Sequence, residues 1–176
     1  MNRTLVLGGA RSGKSAHAEG LLPGTEATYL ATGRRIDGDA DWDARIDRHI
    51  ASRPASWRTI ETPDTDALVA ALEAARPEDP PLLVDDIATW LTGALDDARA
   101  WEKSVDLTPE RDRLVTAAAH CAARLVIVSA EVGLGVIPET RSGRLFRDEL
   151  GAVNASLAEV CTEVLLLVAG LPLRLK

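Results

Sequence analysis

Short, wholly apolar runs alternate along this chain with stretches whose apolar residues recur every three or four positions. Thr4-Leu5-Val6-Leu7 is the first run, and residues 16–22 after it continue as a helix up to the break at Pro23-Gly24. Ala27-Thr28-Tyr29-Leu30-Ala31 reads as a second strand. The stretch from Trp42 to Ala51 carries Trp42, Ile46 and Ile50 at four-residue steps, which predicts a helix ended by Pro54. Trp57 to Ile60 is a short strand, and residues 64–76 set Leu68, Val69 and Leu72 on one helical face. Leu82-Leu83-Val84-Asp85 is a buried-type strand ending in acid, followed by a helix from Ile87 to Leu95. Residues 96–108 show no clear period. Thr108 as N-cap and Pro109 in the first turn predict a helix running to about Arg124. Leu125 to Val128 is another buried strand. A glycine-rich loop from Glu131 to Pro138 leads to a long helix, Arg141 to about Val160, with Leu145, Phe146, Leu150, Val153, Leu157 and Val160 on its apolar face. Val164 to Val168 is a strand, Gly170-Leu171-Pro172 turns, and Leu173 to Leu175 returns as a short final strand.

Strands apolar over their whole length are those covered on both sheet faces. Their alternation with helices predicts an α/β fold: one domain over residues 1–176, with a mainly parallel sheet flanked by helices and a short antiparallel strand at its end.

The first junction adds a P-loop NTPase-like character to that domain. Gly8-Gly9-Ala10-Arg11-Ser12-Gly13-Lys14-Ser15 fits G-x-x-x-x-G-K-[ST] between a predicted strand and a predicted helix. Glycines at Gly8, Gly9 and Gly13 allow a tight loop whose backbone N–H groups turn toward phosphate oxygens, and the helix beyond adds the positive end of its dipole. Lys14 would place a charge on the β- and γ-phosphates, and Ser15 a hydroxyl on Mg²⁺. The pattern points to ATP or GTP, not to what is done with it.

Composition narrows the classes. At 176 residues the chain is large enough to bury a core. Aromatics make up 3%, so Leu, Val, Ile and Ala must fill that core. A formal net charge of −7 argues against general nucleic-acid binding, which calls for a basic surface. Cys121 and Cys161 lack metal-type spacing and read as small buried apolar side chains in a reducing compartment. The apolar run before the glycines is too short for a signal peptide, and no stretch approaches the roughly 20 apolar residues of a membrane helix. These features together predict a cytoplasmic protein.

Two places carry further chemistry. Asp85 ends an apolar strand, where an acid in a P-loop protein holds magnesium or its water shell; Asp86 beside it is the second candidate, and both could instead cap the helix at Ile87. His49 lies within Arg45-Ile46-Asp47-Arg48-His49-Ile50-Ala51-Ser52-Arg53-Pro54. Like charges disfavour the protonated ring, a neutral imidazole is a nucleophile, and arginines hold phosphate. On pattern alone, a solvated helix face with one exposed histidine is the simpler reading. His17 and His120 have weaker claims, as a neighbour-facing and a surface residue respectively.

With these pieces in place the chain resembles the bifunctional adenosylcobinamide kinase/adenosylcobinamide-phosphate guanylyltransferases of cobalamin synthesis, nearly end to end. The resemblance rests on the P-loop, Tyr29-Leu30-Ala31-Thr32, Arg45-Ile46 with His49 and Arg53-Pro54, Trp57-Arg58-Thr59 with Glu61, Leu82 to Asp85 and Trp90-Leu91-Thr92. Glu131 to Glu139, Phe146-Arg147-Asp148, Asn154 and Val168 to Pro172 continue it. The Arg-Ile-x-x-His-x-x-x-Arg-Pro and Glu-Val-Gly-x-Gly blocks are its most specific parts.

The resemblance implies two reactions: phosphorylation of the adenosylcobinamide hydroxyl from ATP or GTP, then transfer of GMP from GTP to that phosphate through a covalent GMP-histidine, for which His49 occupies the motif position. It implies nucleotide contacts from Gly8 to Ser15, from Ile50, Ala51, Ser52 and Arg53 beside His49, and from Glu61 and Asp85; Thr32, Gly33 and Arg34 follow a strand end and line the same site, and Glu61 reads either as a guanine or ribose contact or as a surface acid. It also implies a corrinoid substrate and a homotrimer. The chain departs from the family pattern at Gly93, Ala130 and Thr140, where asparagine is common and an amide able to hydrogen-bond is lost; these positions bear on corrinoid contacts or the kinase half. A small-molecule kinase without a covalent intermediate and a non-enzymatic nucleotide-binding module are the alternatives.

Overall fold

The computed structural model describes residues 2–35, 38, 39, 43, 44, 46, 47, 51 and 53–176. Seven strands form one sheet: β1 (Arg3–Gly8), β2 (Thr28–Ala31), β3 (Arg58–Glu61), β4 (Leu82–Asp85), β5 (Leu125–Ala130), β6 (Glu163–Val168) and β7 (Leu171–Arg174), in the order β3-β2-β4-β5-β1-β6-β7. Every neighbouring pair is parallel except β6–β7, which is antiparallel. The described helices are α1 (Lys14–Gly20), α2 (Thr65–Ala74), α3 (Ile87–Asp97), α4 (Thr108–His120) and α5 (Arg141–Val160).

The two-sided burial expected of parallel strands is visible residue by residue. Leu5 and Leu7 of β1, Leu82 and Val84 of β4, and Leu125 and Ile127 of β5 enter one core with α2 to α5. Their alternates Val6, Leu83, Val126 and Val128 enter a second core on the opposite face, with Tyr29 and with Ala18 of α1. Leu5 is fully buried in the strand that pairs with both β5 and β6. Leu5→Ala should therefore lower the unfolding free energy by about 2–5 kcal/mol, read from the midpoint of a urea titration.

Most element positions follow the sequence pattern, and the differences have local causes. Thr108 is not the N-cap of α4. It is already helical, Leu107 precedes it, and the Thr108 N–H donates to Asp106 Oδ1 at 2.9 Å. That helix ends at His120 rather than near Arg124, because Cys121 turns into an extended conformation ahead of β5. The final strand begins at Leu171, since Ala169 and Gly170 with positive φ already complete the turn. The helix expected between Trp42 and Ala51 lies largely outside the described residues; Asp43, Ala44, Ile46, Asp47 and Ala51 within it are helical. Cys121 and Cys161 are free and buried, as expected, and burial pushes the Cys161 thiol up to about 11.

Candidate nucleotide site

The site is assembled at the carboxyl ends of β1, β2 and β4, where parallel strands of an open α/β sheet present their loops. β1 runs into the P-loop at Gly8. A Cβ there would lie 2.3 Å from Ser12 Oγ and 3.1 Å from the Leu167 carbonyl oxygen, so only glycine fits. Arg11 at φ 57° and Gly13 at φ 88° are left-handed, and this change of hand within a turn is what aims successive N–H groups into one concavity. Gly13 is the N-cap of α1, without a side-chain cap among the described residues. Ser12 Oγ is buried and has no partner among the described residues. Among the described residues, Lys14 Nζ reaches back only to the Gly9 carbonyl oxygen, at 3.4 Å. An orphaned hydroxyl, a loosely held ammonium and a cradle that a side chain would fill fit an anion of phosphate type.

The loop is braced from outside. The Gly170 N–H donates to the Ser12 carbonyl oxygen at 3.0 Å, and the Gly170 Cα lies 3.5 Å from where a Cβ on Gly13 would be.

The two adjacent acids have different jobs. Asp86 is the N-cap of α3: its carboxylate accepts the Thr89 N–H at 2.8 Å, and the Thr89 hydroxyl answers the Asp86 N–H at 3.5 Å in a reciprocal capping box. Asp85 instead faces the P-loop. Ser15 Oγ donates to Asp85 Oδ1 at 3.5 Å, and Tyr29 OH donates to Asp85 Oδ2 at 2.6 Å. Burial first, and the neighbouring Asp85 carboxylate second, push the Tyr29 phenol far above the ordinary tyrosine range, so it keeps the proton it donates. The Arg53 guanidinium lies 3.3 Å from the centroid of the Tyr29 ring and donates to Thr59 Oγ1 at 3.1 Å.

Lys14, Ser15, Tyr29, Ala31, Gly33, Ile46, Arg53 and Asp85 line a cavity of about 160 Å³, together with Asp86 and Thr89. A neighbouring cavity of about 330 Å³ shares Ala31, Gly33, Ile46 and Arg53 and adds Arg34, Arg35 and Glu61. Side by side they fall in the size range of small-molecule sites, roughly 300–1,000 Å³. Oxygen donors from Ser15 and Asp85 suit a hard cation. No group of three or more His, Cys, Asp or Glu among the described residues could hold one alone, so magnesium here would draw on phosphate and water as well.

The remaining predicted positions divide. Ala10 and Arg11 are exposed on the loop. Thr32 is buried and donates to the Asp86 carbonyl oxygen at 2.7 Å, tying the loop after β2 to the start of α3. Arg34 lines the second cavity while its guanidinium forks onto Asp97 at 2.7 and 2.6 Å and bonds the Pro63 carbonyl. It crosses Gly93, where a Cβ would lie 2.9 Å from Arg34 Cζ. His49, Ile50 and Ser52 lie outside the described residues, as do Arg45 and Arg48; Ala51 is exposed. Of the other departures from the family pattern, Thr140 caps α5 by accepting the Gly143 N–H at 3.1 Å, and the Ala130 carbonyl accepts Asn154 Nδ2 at 3.0 Å. His17 is half-buried, with Nε2 lacking a partner among the described residues, and exposed His120 faces the Thr116 carbonyl at 2.8 Å. Sequence reasoning did not single out Tyr29 or Ile46 as site residues. Tyr29 had one local signal, as the one tyrosine in the chain and in a strand that ends at the site, but its link to Asp85 had none.

Two solved structures share the fold and no more. A type III secretion system ATPase of pathogenic bacteria superposes with a TM-score of 0.56 at 12% identity, over 94% of this chain and 50% of that one. The assembled ATPase EscN of enteropathogenic E. coli gives 0.58 at 12%, over 96% and 43%. This chain thus spans half or less of either. Sequence relatives match along their whole length. The bifunctional adenosylcobalamin biosynthesis protein CobP of Pseudomonas aeruginosa is 42% identical over 178 residues, 99% of this chain and 97% of that protein. The bifunctional adenosylcobalamin biosynthesis proteins CobU of Salmonella typhimurium and Escherichia coli are 40% and 37% identical, each over 98% of both chains. A sequence profile described as cobinamide kinase / cobinamide phosphate guanyltransferase matches residues 4–175. With that profile running from β1 through β7, the chain belongs to the cobinamide kinase / cobinamide phosphate guanyltransferase family.

Proposed function

We propose that this protein is the bifunctional enzyme that phosphorylates adenosylcobinamide from ATP or GTP and then transfers GMP from GTP to the product, releasing pyrophosphate and giving adenosylcobinamide-GDP. The observation that carries the reading is the cavity that joins P-loop Lys14 and Ser15 to Asp85 of β4 and to Ile46 and Arg53, three residues before and four after His49 in sequence.

The residues divide the work as follows. The P-loop amides and Lys14 hold the triphosphate and balance charge on the transferring phosphoryl group. Ser15 and Asp85 would hold magnesium, which when bound would shield the phosphate oxygens. For guanylyl transfer, a neutral His49 attacks the α-phosphorus of GTP: the N–P bond forms, the bond to the bridging oxygen breaks, and pyrophosphate leaves. The cobinamide phosphate oxygen then displaces the imidazole from GMP. Glu61, which lines the second cavity, accepts from guanine or the ribose in this reading. The loop between β5 and α5 leaves from beside the P-loop, where the Glu131 N–H donates to the Gly8 carbonyl oxygen. It exposes Leu134, Val136 and Ile137, apolar surface of the kind a corrin would cover.

The same reading takes residues 1–176 as one domain working in the cytoplasm, and as a homotrimer on the strength of the family resemblance. No described helix is long and apolar enough to cross a membrane.

The test is to supply purified protein with adenosylcobinamide, magnesium and GTP and follow the corrinoid by mass. Successive appearance of the phosphate and the GDP conjugate is the expected result. Phosphorylation alone would support a plain kinase, and nucleotide binding with no change in the corrinoid would support a non-enzymatic module.

A further inference from the structure

The magnesium acid is held by a side chain from the next strand. β2 and β4 are parallel, with Tyr29 level with Leu83 and Ala31 level with Asp85. Tyr29, Leu83 and Asp85 therefore share one sheet face, and Asp85 lies two residues beyond the position opposite Tyr29, about 6.6 Å along the strand. A phenol ring with its hydroxyl bridges that interval, and Tyr29 OH meets Asp85 Oδ2 at 2.6 Å. Pinning Oδ2 turns Oδ1 toward Ser15 Oγ, 3.5 Å away. The ring cannot swing aside: its body is buried in the core on the α1 side, and the Arg53 guanidinium covers its face.

We infer that Tyr29 is a positioning residue for magnesium-nucleotide binding, acting through Asp85. The inference rests on the assignment of Asp85 to magnesium above. A group in this position orients a ligand without touching the ion, and loss of such a partner typically lowers metal affinity 10–100-fold. Because the hydroxyl acts on the carboxylate and not on the phosphates, its removal should be felt only when magnesium is present.

The experiment measures GTP affinity of the full-length protein in magnesium chloride and in EDTA, for wild type, Tyr29→Phe, Asp85→Asn and the double variant. Phenylalanine keeps the buried ring beneath Arg53 and deletes only the hydroxyl. Tyr29→Phe should cut the affinity advantage conferred by magnesium about 10-fold and leave affinity in EDTA within about twofold. The double variant should lose no more of that advantage than Asp85→Asn alone. An unchanged magnesium advantage in Tyr29→Phe, an equal loss in both media, or additive losses in the double variant overturns the positioning role. A wild-type protein that binds GTP equally in both media overturns the magnesium assignment itself and this inference with it.

A spectroscopic arm leaves the hydroxyl in place. Since Tyr29 is the chain's one tyrosine, biosynthetic fluorotyrosine gives a single fluorine resonance. It should shift on Asp85→Asn, and on adding GTP with magnesium but not GTP with EDTA. A resonance that ignores Asp85→Asn sinks the proposal.

Discussion

His49→Ala should leave the protein able to bind GTP and to phosphorylate adenosylcobinamide, yet unable to take up label from GTP carrying it in the α-phosphate. A phosphoramidate survives denaturation at alkaline pH and hydrolyses in acid, so wild-type label should stay on the protein in the first condition and leave in the second. The variant removes the only atom proposed to bond the α-phosphorus, so guanylyl transfer should fall by about 10⁴-fold or more, the scale of losing a covalent nucleophile. The kinase half should change little, because its γ-phosphoryl group passes directly to the corrinoid hydroxyl. Stable label on His49→Ala protein would move the nucleophile elsewhere. Absence of label on the wild type, with phosphorylation intact, would reduce the enzyme to a kinase.

Lys14→Ala should cripple both halves. Among the described residues Lys14 Nζ touches only its own loop, at 3.4 Å from the Gly9 carbonyl oxygen, a contact that a charged phosphate oxygen would readily replace. Its ammonium is proposed to grip the β- and γ-phosphates, where a hydrogen bond to a charged group is worth about 1.5–3 kcal/mol. It should count for more in the transition state, where removal of one preorganised donor typically costs about 10²–10³ in rate. Weaker GTP binding, together with losses of at least that size in both phosphorylation and guanylylation, is therefore expected from calorimetry and single-turnover assays. The contrast with His49→Ala is the informative result, since one variant should silence a single half-reaction and the other should damage the pair. Wild-type phosphorylation by Lys14→Ala protein would remove the P-loop from the chemistry.

The sequence disclosed the frame of this site better than its wiring. Leu82 to Val84 is apolar throughout because β4 lies between β2 and β5 with cover on both faces, so strand and terminal acid were readable together. The choice between Asp85 and Asp86 was not readable to the same degree. Both follow the strand, and only the alternation of side chains across the sheet sends one to the P-loop while the other caps α3. Tyr29 was missed for a related reason: its link to Asp85 depends on β2 lying next to β4, and order within a sheet leaves no local trace in a sequence. Likewise the tie from the Thr32 hydroxyl to the Asp86 carbonyl joins segments far apart in the chain and leaves no local trace. Thr108 was misassigned by one position because Asp106 supplies the turn's hydrogen bond in its place.

The brace between the β6–β7 turn and the P-loop turns a remote amide into a reporter. Gly170 belongs to the turn between β6 and β7, yet its N–H is held by the Ser12 carbonyl inside the cradle. Isotope exchange at that amide requires the tie to open, and a cradle clenched on a triphosphate opens less often. Deuterium uptake at Gly170 should accordingly slow as the site fills, allowing occupancy to be read from the outer edge of the sheet with no label on the nucleotide.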